Sequence, residues 1–121
     1  RIKKEYRERM EDLLIREKPY LKNDLRMKEL AELFGTSNHH LSQIINESFG
    51  CSFYDLINQY RVEEAKALIV KYSQYTLLKV AFESGFNNKT SFVNAFKKFE
   101  KKTPSSFRKE HLNSEKIQQP L

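Results

Sequence analysis

Residues 81–99 read AFESGFNNKTSFVNAFKKF, and this stretch decides how the chain folds. Phenylalanines recur at helical spacing on both sides of a polar block, residues 87–90. Fifty positions earlier, residues 31–50 read AELFGTSNHHLSQIINESFG and have a similar layout. The two stretches therefore indicate two copies of one structural device.

Each copy has a small residue four positions before a glycine. The pairs are Ala31 with Gly35 and Ala81 with Gly85, and they are offset by 50. Two helices that cross steeply over a short turn need a small residue where they touch and a turn residue that tolerates positive φ. The spacing therefore predicts a duplicated helix-turn-helix.

Apolar residues frame both predicted turns. The helix before each glycine carries Met27, Leu30, Ala31 and Phe34 in the first copy and Leu77, Leu78, Ala81 and Phe82 in the second. The helix after each glycine carries Leu41, Ile44 and Ile45, and then Phe92, Ala95 and Phe96. The offset after the turn is 51, so the second turn is one residue longer. We expect Ser37, and either Asn87 or Asn88, to cap the second helices.

The second helix of each copy also has a polar face. In the later copy this face carries Lys89, Thr90, Val93, Asn94 and Lys97, and in the earlier copy His39, Ser42, Gln43 and Asn46. Polar side chains of these types bond to base edges in a major groove. One such face alone is typical of an ordinary solvated helix. Its duplication, together with a basic C-terminal half, favours DNA reading.

Residues 52–72, SFYDLINQYRVEEAKALIVKY, predict one long helix between the copies, capped by Ser52. About twenty residues make a rod of about 30 Å, close to the roughly 34 Å of one turn of B-DNA. This length permits the predicted recognition helices, about 38–47 and 88–99, to read successive major grooves.

The composition favours a single all-α domain or two very small ones. The chain has 121 residues, 39% hydrophobic, with only three glycines and three prolines. Its net charge is +6, and residues 86–111 carry seven basic and two acidic side chains. This basic end suits phosphate or an acidic membrane surface. One cysteine, no signal peptide and no membrane-length apolar run predict a cytoplasmic fragment of a larger protein.

From about Asp24 to Leu112 the chain resembles the AraC/XylS family of bacterial transcription regulators. The resemblance rests on fixed spacings in the second copy and on the first copy with its long helix. The matching residues are Ala81, Gly85, Phe86, Ser91, Phe92, Phe96, Lys97, Lys98, Thr103, Pro104, Ser105, Phe107 and Arg108.

The resemblance implies an all-α fold of about seven helices, with two helix-turn-helix subdomains joined by a long central helix. We predict a lead-in helix and first helix-turn-helix in 1–50, the connecting helix in 51–73, the second helix-turn-helix and closing helix in 74–112, and a disordered tail in 113–121. The implied partners are double-stranded promoter DNA, RNA polymerase and a sensing or dimerisation domain before Arg1. No cofactor and no membrane contact by this fragment are expected.

The resemblance also implies two sets of site residues. Base reading falls to His39, Ser42, Gln43, Lys89, Thr90, Val93 and Asn94. Phosphate contacts fall to Ser37, Asn46, Asn88, Lys97, Lys98, Ser105 and Ser106. Two positions depart from the family pattern: Lys101 stands where a helix-ending glycine is usual, and Phe107 replaces tyrosine. Either the turn at Lys101 changes shape, or the lysine adopts a costlier backbone angle.

Other interpretations stay open from sequence. Residues 1–20 predict an amphipathic helix that packs on the first copy, with a dimer-forming segment as the alternative. His39, His40 and Cys51 do not have the spacing of a metal site, and no enzyme motif is present. The competing functions are a basic module that docks an acidic protein and an RNA binder. The RNA binder is disfavoured because the aromatics follow buried helical spacing.

Overall fold

The computed structural model describes residues 4–118, and the surroundings of side chains up to residue 112. Every regular element in that part of the chain is helical, which confirms the predicted all-α fold. In chain order the elements are α1 (Lys4–Glu17), a 3₁₀ turn (Pro19–Leu21), α2 (Met27–Phe34), α3 (Asn38–Phe49), α4 (Phe53–Lys71), α5 (Leu77–Glu83), α6 (Lys89–Glu100) and α7 (Pro104–Gln118). The chain divides into two compact units within α4, between Tyr60 and Arg61. We call these unit 1 and unit 2.

The turn between α2 and α3 has the predicted geometry. Gly35 has φ of 87°, in the left-handed region that favours glycine. The amides of Gly35 and Thr36 donate to the Ala31 carbonyl at 2.8 and 2.9 Å and so close the end of α2. Ala31 itself is buried.

The turn between α5 and α6 uses a related closure in unit 2. Gly85 has φ of 101°. The Phe86 amide donates to the Ala81 carbonyl at 3.0 Å, and the Gly85 amide donates to the Phe82 carbonyl at 3.1 Å. This is the paired bonding of a Schellman motif. Both glycines therefore serve the turns that their spacing predicted.

The core of unit 1 is mainly aliphatic and is covered by α1. Met10 and Leu14 are buried against residues from α2, α3 and the start of α4, so the predicted packing of the lead-in helix is confirmed. Arg9 fixes α1 to the end of α2, because its Nη2 donates to the Phe34 carbonyl at 2.9 Å. Its guanidinium also lies 4.3 Å from the centroid of the Phe34 ring.

The core of unit 2 is built around a chain of phenylalanine rings. Phe86 contacts Phe92, Phe92 contacts Phe96, and Phe96 contacts Phe107, with centroids 5.4, 5.8 and 5.5 Å apart. Tilted and edge-to-face rings at these distances stabilise each other beyond simple burial. Phe107 is buried, so the replacement of the usual tyrosine keeps the packing, as expected.

The apolar pattern of α5 was misread from sequence. Leu78 and Phe82 are each 49% exposed, while Val80 and Ala81 are buried and Leu77 is partly buried. Two turns of helix give few positions for an apolar stripe, and a stripe shifted by one position fits almost as well.

The repeat extends to the helix that follows each helix-turn-helix, α4 and α7, and the offset of 51 residues continues there. Ser52 Oγ accepts the Asp55 amide at the start of α4 at 3.1 Å, and Thr103 Oγ1 accepts the Ser106 amide at the start of α7 at 3.0 Å. Just before these caps, Gly50 and Lys101 have nearly the same backbone angles, with φ of 67° and 65°. The lysine therefore accepts the left-handed angle.

The closing helix is longer than the sequence suggested. As described, α7 runs to Gln118, past the predicted start of the tail at residue 113. Residues 119–121 of that tail lie outside the described part of the chain.

Candidate nucleic-acid interface

Helix α3 presents a polar surface opposite its buried stripe. Ser37 begins the helix, and its Oγ accepts the His40 amide at 3.1 Å, as predicted for a cap. The buried side of the helix holds Leu41, Ile44 and Ile45. All four predicted contact residues of α3 are exposed: His39, Ser42, Gln43 and Asn46.

His40 faces protein rather than solvent, in agreement with its position on the helix. Its Nδ1 lies 2.8 Å from Thr36 Oγ1. Its ring meets the Tyr6 ring at a right angle, with centroids 5.6 Å apart. Adjacent histidines therefore point in different directions, and His39 alone belongs to the polar surface.

Helix α6 begins with two neighbouring asparagines. Asn88 Oδ1 accepts the Ser91 amide at 2.8 Å and caps the helix. The Asn88 Nδ2 group donates to Asn87 Oδ1 at 2.9 Å. The Asn88 amide thus uses Oδ1 and one N–H of Nδ2 locally, which leaves the second N–H of Nδ2 for a phosphate contact.

The predicted base-reading face of α6 is exposed except at one position. Lys89, Thr90 and Asn94 are exposed, whereas Val93 is half-buried and packs against the core of unit 2. The face therefore combines a cation, a hydroxyl, an amide and a methyl surface within about two turns. These groups match guanine, adenine and the thymine methyl group in a major groove.

The C-terminal end of α6 supplies exposed cations and is tied to α4. Lys97 and Lys98 are both exposed. Lys66 on α4 pairs with Glu63 and with Glu100 at the end of α6, at 3.1 Å each. Burial lowers the pKa of Lys66, but the hydrogen bonds to Glu100 and Glu63 outweigh it, so the pKa is raised overall. The lysine stays charged and holds this end of α6.

The start of α7 offers few free backbone donors for a phosphate. Pro104 has no N–H group, and Thr103 accepts the Ser106 amide. Among the first three residues of α7, only Ser105 therefore has a backbone N–H that is not used by the cap. The side chains of Ser105 and Ser106 are exposed beside it. Sequence analysis did not assign a cap to Thr103, although a threonine directly before proline at a helix start is a readable signal.

The net positive charge of the chain comes from unit 2. Up to Tyr60 the sequence has ten basic and ten acidic side chains, and from Arg61 it has twelve and six. The cations of unit 2 differ in how exposed they are to solvent and in whether they are paired. Nε and Nη2 of Arg108 are buried without a hydrogen-bond partner, and Lys102 pairs with Glu110 at 2.6 Å. Lys89 and Lys97 are the exposed cations on the polar face of α6.

The structure shows neither a membrane-spanning helix nor a metal-binding cluster in the part of the chain that it describes. Across residues 4–118 no helix is long and apolar enough to cross a membrane. In the same residues, no three His, Cys, Asp or Glu side chains come together in a way that would hold a metal ion.

The sequence and the architecture have counterparts among known proteins. A family model described as "Helix-turn-helix domain" matches residues 30–110. An uncharacterized HTH-type transcriptional regulator of Staphylococcus aureus (strain COL) is 39% identical over 85 residues, which cover 70% of this chain. The chain spans only 11% of the length of that regulator.

Two solved structures share the fold. The C-terminal domain of the two-component response regulator yesN from Fusobacterium nucleatum is 27% identical, with a TM-score of 0.72, and the match covers 86% of this chain and 98% of that one. The C-terminal domain of AraT, a response regulator from Geobacillus stearothermophilus, is 24% identical with a TM-score of 0.73. That match covers 91% of this chain and 88% of the other and supports the fold alone.

Proposed function

The chain belongs to the AraC-type helix-turn-helix family of DNA-binding transcription regulators, and we propose that α3 and α6 are its recognition helices. Each reads bases in a major groove of promoter DNA. The observation that carries this proposal is the repeated design of the two helices. Each begins at a side-chain cap just past a turn, buries one stripe and exposes polar groups on the other side.

The two helices have different roles in this proposal. On α3, His39, Ser42 and Gln43 read bases through neutral hydrogen-bonding groups, with Gln43 matched to adenine and His39 to guanine. On α6, Lys89, Thr90 and Asn94 bond to base edges, and Val93 packs against a thymine methyl group. Phosphates are contacted at Ser37, Asn46, Asn88, Lys97, Lys98, Ser105 and Ser106.

A selection of binding sites from a random duplex pool tests the proposal. With this chain at physiological salt, we expect two blocks of enriched bases, one for each unit. The same selection with Asn94→Ala should lose information in one block and keep the other. A pool that shows no enrichment would contradict sequence-specific binding by these 121 residues.

Gln43→Ala sharpens the assignment of unit 1. The bidentate contact of a glutamine with adenine discriminates by about 1–3 kcal/mol, so the variant should lose preference at one position. Competition binding against duplexes that vary at that position gives the measurement. Gln74→Ala is the matched control, because Gln74 is an exposed glutamine outside α3 and α6. An unchanged preference in Gln43→Ala would remove Gln43 from the reading face.

Two further partners follow from family membership and stay proposals. The DNA-bound protein contacts RNA polymerase, and a sensing or dimerisation domain outside these 121 residues supplies the regulatory signal. Support for the second partner comes from the relatives, since the chain spans about a tenth of the Staphylococcus aureus regulator and matches C-terminal domains of response regulators.

A further inference from the structure

Helix α5 carries an apolar ridge on its exposed side. Leu78 and Phe82 lie one turn apart on this helix and are each 49% exposed. The equivalent positions of α2, fifty residues earlier, are Lys28 and Glu32. These two positions of the duplicated helix-turn-helix are therefore charged in unit 1 and apolar in unit 2. Large apolar side chains exposed side by side mark interaction sites more often than ordinary surface.

The ridge adjoins a concavity of about 290 Å³ within unit 2. Its lining comes from α5, from the start of α6 and from the start of α7, and it is mainly hydrocarbon. The apolar part consists of Leu77, Leu78, Phe92, Val93 and Pro104. Thr103 and Ser105 complete the lining, and its apolar walls favour an aliphatic or aromatic side chain.

The charged side chain that lines the concavity is a cation, Lys89. On α5, Lys79 follows Leu78, with its Nζ 4.9 Å from the centroid of the Tyr75 ring, and Glu83 follows Phe82, so this helix itself is neutral. Unit 2 as a whole has twice as many basic as acidic side chains. Charge complementarity therefore favours an acidic occupant.

We propose that the ridge of Leu78 and Phe82, with the adjoining concavity, binds an acidic amphipathic helix of a partner protein. One apolar side chain of that helix enters the concavity beside Leu78, and another, one turn away, packs on Phe82. Its carboxylates face Lys79 and Lys89. This is the helix-in-groove mode, in which apolar anchors spaced by one turn give affinity and the charged rim gives selectivity.

The partner and duplex DNA compete for part of this surface. Lys89 and Val93 line the concavity and also belong to the proposed base-reading face of α6. This competition rests on the proposed function, whereas binding of the acidic helix does not. The partner would therefore act on the protein when it is free of DNA.

A labelled synthetic helical peptide tests the proposal in the absence of DNA. The peptide carries leucine and phenylalanine four positions apart on one face and glutamates on both flanks, and its binding to this chain is followed by fluorescence anisotropy. We expect saturable binding. A second peptide with the same apolar face and lysines on its flanks should bind about tenfold or more weakly.

Variants locate the site. Leu78→Lys with Phe82→Glu reproduces the charged pair of α2 and should weaken the acidic peptide by about tenfold or more. Phe82→Gln alone, a milder change, should weaken it in the same direction. Leu33→Lys is the matched control, because Leu33 is an equally large apolar residue, 54% exposed, in unit 1. Circular dichroism of each variant checks that the helices persist.

The outcomes separate this proposal from DNA binding. Unchanged peptide affinity in both ridge variants or equal affinity for the lysine-flanked peptide would overturn it. In an NMR titration with the peptide, amide chemical-shift changes confined to unit 1 would also overturn it. Addition of a selected duplex should displace the peptide, and a peptide that stays bound would overturn the shared surface. A chain that binds the peptide but no duplex would instead contradict the proposed function.

Discussion

The two units of the molecule use one backbone design with different side chains. Unit 1 has equal numbers of basic and acidic residues and an aliphatic core closed by α1. Unit 2 has twice as many basic as acidic residues and a core of linked phenylalanines. The turn glycines, the small residues before them and the capping side chains are what both units share. The helix-turn-helix backbone thus depends on few positions, and the rest of each unit is free to differ.

Ser84 shows how far the cores have diverged. It occupies the position that Phe34 holds in unit 1, and it is fully buried. Its hydroxyl donates to the Val80 and Ala81 carbonyls, 2.7 and 3.1 Å away, so the buried polar group is satisfied within its own helix. In unit 2 the nearest core aromatic, Phe86, comes after the turn rather than before it.

Truncation of a core ring should have the largest effect and should separate the two units. Phe96 is fully buried and contacts both Phe92 and Phe107. Phe96→Ala should lower the free energy of unfolding of unit 2 by about 3–5 kcal/mol, because a cavity replaces the middle of the ring chain. Chemical denaturation followed by amide NMR measures the loss for each unit.

Leu41→Ala is the counterpart in unit 1, where Leu41 is also fully buried. It should cost about 2–5 kcal/mol, with the losses concentrated in unit 1. If native amide NMR signals disappear in the same pattern in both variants, the two units unfold together. The stabilities of the two units could then not be compared separately.

An exchange of the C-cap residues of α3 and α6 should change the stability by an intermediate amount, with opposite signs in the two units. Gly50 and Lys101 share a left-handed angle at the ends of α3 and α6. Gly50→Lys should destabilise the protein by about 1 kcal/mol, and Lys101→Gly should stabilise it by a similar amount. The reason is that positive φ strains a residue that has a Cβ atom, whereas glycine has none. The space around Gly50 is open, so the cost is backbone strain alone.

Thermal or urea unfolding of both variants gives the measurement. Loss of stability in Lys101→Gly would mean that the bond from Lys101 Nζ to the Lys98 carbonyl, 3.0 Å long, outweighs the strain.

The smallest effect concerns the share of each unit in phosphate binding. Lys97 and Asn46 are equivalent positions of α6 and α3. Lys97→Ala should weaken binding to all sequences alike and reduce the slope of log K against log salt by about 0.9, and Asn46→Lys should increase it by about as much. Filter binding or anisotropy over a range of salt concentrations gives the slopes. A loss confined to one DNA sequence would move Lys97 from phosphate to base contact.

Much of the fold could be predicted because its signals are local. The glycines at positive φ, the small residues before them and the caps at Ser37, Ser52 and Asn88 each follow from the chemistry of a few neighbouring residues. Leu78 and Phe82 could not be placed in the same way. Whether an apolar residue of a seven-residue helix is buried depends on the direction of helices distant in sequence.

The candidate site was predictable in its position and less so in its detail. Exposure of the polar faces of α3 and α6 follows from helical spacing, and the structure confirms that exposure for His39, Gln43 and Asn94. The half-burial of Val93 and the hydrogen bond from the Asn88 amide to Asn87 depend on three-dimensional contacts. The residue spacing does not predict them.

The match between Ser52 and Thr103 has a consequence for protein engineering. Because α7 begins in unit 2 with the same kind of cap as α4 in unit 1, further units could be added in the manner of a repeat protein. If α7 were given the sequence of the second half of α4 and followed by a copy of the α5–α6 hairpin, the chain would gain a third helix-turn-helix. Under the proposed function, longer target sites could then be addressed by adding such units.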